Sequence, residues 1–447
     1  MEAGIMNLHA RKVKIHVLAL LALVCLLFAS PNLTAAHGLS LQQNGPQVTV
    51  EVQEVDANFP NLVAFTLRLK GFKAKHATLN IRLVGRTTTS EVKADLDSPT
   101  NEISTNLDLS THYMPPGAEI EYYWSLEDAS GAAAETPKKT FKLLDERYSW
   151  QTLTDPGNRV SVHWYTVSWQ EGGSKFGQSI LDTATQALDR LQRDIGATLD
   201  RPANIWVYAN QEDLASALFQ NNPEWVGGQA FPDLALVVVD IADDVDAPDE
   251  TRRMVPHELS HLVLYQATRN PYNSPPAWLD EGMAVHNQGV RYPDEEAALR
   301  EAASDGRILP LKALSGSFGA DEETTRLSYA QAGSVADFIL SDSRYGPKKL
   351  ARTIAAFQKG VTYDEALETG LGVTVDELDR QWRESLPYKV AAPAAPGSAP
   401  AATTRETQLT TLLRSPLVLV PLLLCGLLFV SGGILTVVML ARRGRAA

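Results

Sequence analysis

The hydrophobic period changes once along this chain, and no other feature constrains the fold as tightly. Between residues 40 and 145, apolar side chains recur at every second position. Val63, Phe65, Leu67 and Leu69 alternate with Ala64, Thr66 and Arg68, and the pattern returns at Ala77, Leu79, Ile81 and Leu83 and again at Ile120, Tyr122, Trp124 and Leu126. Period two belongs to a strand with one buried face. Turn signals at Asn58–Pro60, Pro115–Gly117 and Asp128–Gly131 divide this stretch into short strands. The expectation for residues 40–145 is an immunoglobulin-like β-sandwich, serving as a spacer or binding module. Its strand topology stays open, because no Cys-Trp-Cys pattern marks it.

After a linker expected near Asp145–Asp155, helical spacing appears at Ile180, Ala184, Ala187, Leu188, Leu191 and Ile195, with Gly196 as a stop. Ala203–Ala209 and Leu234–Asp240 read as buried strands, and Asn210 reads as an N-cap. Thr362 with Glu365 and Thr374 with Glu377 are capping-box pairs in an otherwise helical C-terminal half. Residues 150–386 are thus expected to form a second, α+β domain.

Both ends of the chain are apolar. Arg11, Lys12 and Lys14 precede an apolar run from Ile15 to Ala29 and small residues at 34–36, which reads as a signal peptide over residues 1–36. Residues 415–441 carry no charge and are long enough to span a bilayer. Arg442, Arg443 and Arg445 follow, so the basic tail 442–447 is expected in the cytoplasm. The Ala/Pro/Thr-rich stretch 387–414 cannot bury a core and reads as a tether. The expected localisation is a cell membrane, spanned once, with the folded part outside. Cys25 and Cys425, the only cysteines, both fall in the apolar ends. A disulfide-free exported part points to a bacterial envelope. The net charge of −13 argues against nucleic acid as a partner.

The chemistry concentrates in "VPHELSHLVL", residues 255–264. Residues four apart share one helix face, so His257 and His261 can point two imidazoles at one ion. Glu258 lies on the adjacent face, within reach of a water on that ion. Zinc is the expected cofactor, one ion, since catalytic sites give it three protein ligands and a water whose pKa falls to about 7. Two solvated histidines on a surface helix are the bland alternative. Pro256 costs about 3 kcal/mol inside a helix, so the helix is expected either to kink there or to begin just before His257.

Downstream, "PAWLDEGMAVH" places Glu281 nineteen residues beyond the gap after His261. His257-Glu258-x-x-His261 followed by Trp278-Leu279-Asp280-Glu281-Gly282-Met283-Ala284 resembles the gluzincin metallopeptidases, and within them the aminopeptidase-N-like and peptidase MA-like branch. The resemblance implies a thermolysin-like domain of small mixed sheet plus helices, His257, His261 and Glu281 as zinc ligands, and Glu258 as general base. The spacing is one residue longer than is usual in the aminopeptidase-N-like enzymes. It also implies a substrate-binding edge strand before the metal helix, where Gly227, Gly228 and Ala230 lie, and a tyrosine past the ligand glutamate that stabilises the oxyanion, which Tyr329 can be. The two glycines could equally be a hairpin turn, and Tyr329 could equally be a core residue. Asp280 supports the site from behind or is a surface residue. His286, off the face of Glu281, is expected to be an exposed or core histidine.

These expectations describe a membrane-anchored, extracytoplasmic zinc peptidase acting on peptide or protein substrates. The residues around Gly227–Ala230 lack a glutamate for a substrate amine, which leans towards an endopeptidase without deciding it. The alternative from another class is a non-catalytic envelope binding or scaffold module that keeps the fold.

Overall fold

The computed structural model describes residues 48–96, 102–165, 173–218, 227–318 and 321–391. The expected signal peptide, transmembrane segment, basic tail and most of the tether (392–414) lie outside these residues. Among the described residues, no helix is long and apolar enough to cross a membrane.

The first strands are β1 (Thr49–Asn58), β2 (Leu62–Lys70), β3 (Ala74–Leu83), β4 (Ser90–Lys93), β5 (Glu102–Asp108), β6 (Glu119–Asp128), β7 (Ala133–Glu135) and β8 (Lys139–Lys142). They form two antiparallel sheets, ordered β1-β2-β5 and β4-β3-β6-β7, with β8 also paired to β6. The alternating residues of β2, β3 and β6 point inward and share one core. Phe65 of β2 meets Tyr122 of β6 edge to face at 5.2 Å, which joins the two sheets.

A second sheet system follows, built from β9 (Gln151–Thr154), β10 (Val160–Trp164), β11 (Ala203–Tyr208), β12 (Gly228–Phe231) and β13 (Leu236–Asp240). Its order is β12-β13-β11-β10-β9; the three central strands run parallel, and β12 and β9 are antiparallel edges. Both faces are covered, which is why Leu236–Val239 reads as an unbroken apolar run. Ile205, Val207, Val237 and Val239 face the helices, whereas Trp206, Leu236 and Val238 face the β-sandwich. The described helices are α1 (Gly173–Ile195), α2 (Gln211–Leu218), α3 (Ala247–Thr268), α4 (Ala277–Asn287), α5 (Pro293–Ser304), α6 (Glu322–Ser341), α7 (Pro347–Gln358), α8 (Tyr363–Gly370) and α9 (Val375–Ser385). The whole is an α+β protein.

Two local signals resolve differently from one another. Thr362 and Glu365 form the full reciprocal capping box of α8. Thr374 caps α9 by accepting from the Glu377 N–H, but the Glu377 carboxylate turns to Arg380 at 2.6 Å instead of completing the box.

Residues 145–155, expected as a linker, are built into the structure. The Asp145 carboxylate is fully buried, accepting from the Tyr208 hydroxyl at 2.9 Å and from Arg147 at 2.6 and 2.8 Å. A buried charge persists only when paired and hydrogen-bonded in this way. Trp150 then packs edge to face on Trp206 at 4.8 Å, and the chain enters β9.

The sandwich therefore lies directly on the back of the mixed sheet. Gly117 adopts φ +84°, and a Cβ there would sit 2.0 Å from the Trp206 indole nitrogen. Gly117→Ala combines a left-handed backbone with that clash. It should destabilise the folded chain by more than about 2 kcal/mol, measured by urea unfolding, and a variant as stable as wild type would show that the interface yields without cost.

Candidate metal centre

The helix α3 starts with Pro248 in its first turn and with Asp249 and Glu250 facing the positive end of its dipole. It is one continuous helix from Ala247 to Thr268, with Pro256 inside it. Met254, Val255, Leu259, Leu262 and Val263 bury one side against the sheet, leaving His257, Glu258 and His261 half-buried at the cleft. Proline in a helix interior leaves the carbonyl four residues back without its N–H donor. Here that carbonyl, of Arg252, accepts from the Gly289 N–H at 2.8 Å.

The helix α4 follows Pro275–Pro276 and is anchored by Trp278, fully buried, whose indole N–H donates to the Tyr363 hydroxyl at 2.8 Å. It crosses α6 closely, since a Cβ at Gly282 would lie 2.5 Å from the Ala332 carbonyl oxygen. That crossing sets Glu281 against α3 from one side and Tyr329 from another.

Three donor atoms converge. His257 Nε2 and His261 Nε2 lie 3.5 and 3.6 Å from Glu281 Oε2, and one ligand atom from each residue can be chosen within 4.8 Å of the others. Donors about 2.0–2.1 Å from a tetrahedral ion would stand roughly 3.4 Å apart, so the separations to Glu281 fit a shared ion. Glu281 Oε2 is moreover buried with no hydrogen-bond partner among the described residues. Such an oxygen is costly unless a cation occupies the point it faces.

The outward nitrogens are also engaged. His261 Nδ1 is 3.0 Å from Asp280 Oδ1, and His257 Nδ1 is 2.8 Å from the Gln288 amide. For His261, burial alone would lower the pKa, but Asp280, Glu281 and Glu258 outweigh it and the imidazole is raised. Burial pushes the Asp280 carboxyl up, and the facing His261 more than reverses this. Tyr329 stands beside His257 with ring centroids 6.2 Å apart; burial first, then Glu281, Glu258 and Asp280, raise its hydroxyl.

A cleft of about 330 Å³ opens over this centre, lined by Gly227, Gly228, His257, Glu258 and Tyr329 among others. Gly228 lies on an edge strand of the sheet among the described residues, and a Cβ there would come within 3.1 Å of Glu258 Oε1 and 2.9 Å of Val239 Cγ1. Ala230, further along β12, packs against the helix-side core and does not line the cleft. His286 is not one of the converging donors; its Nδ1 sits 2.6 Å from Asp337. The three donors and Glu258 are all on α3 and α4, and that region can be compared directly with known families.

Residues 183–388 match the family model of the Peptidase MA superfamily. The match supports a gluzincin-like peptidase MA relationship for just under half the chain. It takes in α3, α4 and α6 and begins inside α1, after β9 and β10. No curated protein matches the chain. Among solved structures, a carbohydrate-binding module family 56 β-1,3-glucan-binding domain is 15% identical at a TM-score of 0.16, covering 22% of this chain and 99% of its own. A GH family 64 β-1,3-glucanase from Paenibacillus barengoltzii is 13% identical, with a TM-score of 0.17 and coverage of 26% and 27%. A polysaccharide deacetylase from Bacillus cereus is 9% identical, with a TM-score of 0.19 and coverage of 47% and 65%. Likenesses this slight say nothing about activity.

Three residues of the site carry no local sequence signal, Gln288, Tyr292 and Glu295, whereas Arg253 lies one turn before His257 on the same helix face. Arg253 stacks on Tyr292 at 4.9 Å in the cleft wall, and Glu295 is a cleft carboxyl whose pKa burial raises. Gln288, Tyr292 and Glu295 are brought to the cleft only by tertiary packing.

Behind the cleft, Asp240 ends β13 with its carboxylate next to Gly227. Burial, reinforced by Glu250, pushes its pKa up to about 6. A carboxyl raised on folding holds its proton more tightly in the folded chain, so its contribution to stability is full below about pH 4 and is lost as the pH rises through about 6. Asp240→Asn should therefore raise the Tm relative to wild type at pH 7, with the difference shrinking as the pH falls to 4. A Tm difference that does not change with pH would contradict this.

Proposed function

We propose that this protein is a zinc-dependent peptidase, with His257, His261 and Glu281 holding the ion and Glu258 as general base. The observation that carries the reading is Glu281 Oε2, buried without a donor and facing two imidazole nitrogens, with the Glu258 carboxylate kept apart in the cleft. A donor set of two nitrogens and one carboxylate oxygen beside a cleft would suit catalytic zinc. When bound there, zinc supplies Lewis-acid polarisation of the scissile carbonyl and acidifies a water.

The chain's own groups do the rest. An extended peptide adds to the edge strand β12, antiparallel to it and alongside Gly227 and Gly228 in the cleft. The Glu258 carboxylate takes a proton from the attacking water; as the C–N bond breaks, it passes that proton to the leaving amine. The Tyr329 hydroxyl, kept protonated by burial and nearby carboxylates, donates to the carbonyl oxygen as it gains negative charge. Asp280 accepts from His261 Nδ1 and so keeps its Nε2 lone pair turned inward.

The apolar run 15–29 and the span 415–441 support export and a single membrane anchor, which would place the cleft outside the cell and make envelope or extracellular peptides its substrates. The β-sandwich we read as immunoglobulin-like.

Three measurements on the full chain in detergent test this. Zinc should be stoichiometric, and chelation should abolish hydrolysis of a peptide library. Glu258→Gln should keep the zinc and lose ~10²–10⁴-fold in kcat; unchanged hydrolysis sinks the reading in favour of a scaffold. Tyr329→Phe should keep both zinc and KM while kcat falls ~10²–10³-fold.

A further inference from the structure

Three consecutive residues, the last of α4 and the two that follow it, each bind a different point on α3. The Asn287 side chain donates to the Pro256 carbonyl at 3.0 Å and to Ser260 Oγ at 3.1 Å. Gln288 contacts His257 Nδ1 at 2.8 Å. The Gly289 N–H donates to the Arg252 carbonyl at 2.8 Å, and this carbonyl is free because Pro256 has no N–H to give it. From α1, Arg190 holds the same turn through the Asn287 side chain and carbonyl, both at 3.2 Å.

We infer that Gln288 is a positioning residue for His257, held in place by the docking point that Pro256 creates on the metal helix. The inference rests on the zinc reading of the site. An imidazole that binds a metal through Nε2 must carry its proton on Nδ1, so its neighbour there has to accept. A Gln amide can do so through its oxygen. In the orientation with Nε2 towards His257, the Gln288 oxygen is buried without a partner. The two ends of an amide occupy nearly the same volume. Turning it gives the oxygen the Nδ1–H as partner and leaves His257 Nε2 free to face Glu281. Asp280 does the equivalent for His261, so each imidazole has its own acceptor, carried at opposite ends of the same helix α4.

The test is the zinc affinity of the full chain in detergent, read by competition with a chromophoric chelator, alongside the Tm of the metal-free protein. Gln288→Leu should weaken zinc by ~10–100-fold, the range for such partners, with the metal-free Tm little changed. Gln288→Glu, which can only accept, should stay within a few-fold of wild type. Pro256→Ala restores a helical N–H that competes with Gly289 for the Arg252 carbonyl; it should weaken zinc without lowering the metal-free Tm. Gln288→Leu at wild-type affinity, or Gln288→Glu as weak as Gln288→Leu, overturns the role of Gln288. Wild-type affinity in Pro256→Ala overturns that of the proline. A wild-type chain that takes up no zinc overturns the metal centre itself, and is told apart because no variant is then needed.

Discussion

A carboxylate oxygen buried with no donor is expensive, and Glu281 Oε2 is held in that state on α4, facing α3. The rest of the molecule can be understood as the means of holding it there. Trp278 fixes the start of α4, Gly282 lets that helix touch α6, and the apolar side of α3 is locked to the sheet. None of these groups could relax towards Glu281 without breaking packing that is already dense. The packing behind them holds the oxygen and the two imidazoles converged, as a preorganised site requires.

Much of this centre was legible before any coordinates. The spacing of His257 and His261 follows from helix geometry, and the Trp278–Ala284 segment carries its own family likeness. The position of Asp280 was open between support and surface, and the structure sets it 3.0 Å from His261. Gln288 was not legible. It follows its helix with no period to mark it, and its partner lies on another helix. Pro256 could be seen as an anomaly, but sequence offered only a kink or a helix start. The structure removes the helix start, since one helix runs from Ala247 to Thr268 with Pro256 inside it, and a loop N–H takes the carbonyl that the proline cannot serve.

The fold divides in the same way. Period-two alternation and apolar runs locate strands well, because burial on one face or both leaves a direct trace. The stretch 145–155 misled for a physical reason: Asp145, Arg147 and Asp155 are charged, and composition alone reads charge as solvent-facing. Their partners, Tyr208 for Asp145 and the Arg159 and Val160 N–H groups for Asp155, come from far along the chain or from a tight turn. A satisfied buried carboxylate looks, in one dimension, like a linker residue.

The central strands of the mixed sheet are buried on both faces, and one of those faces belongs to the β-sandwich. The family match starts at residue 183, after two of the sheet's five strands and part of α1 have already been laid down. Trp206, Leu236 and Val238, inside the match, depend for cover on residues such as Met114 and Leu143, far outside it. The matched region and the β-sandwich thus share a packed interface. Any other module placed before this sheet would have to offer Trp206 a surface as close-fitting as the backbone at Gly117.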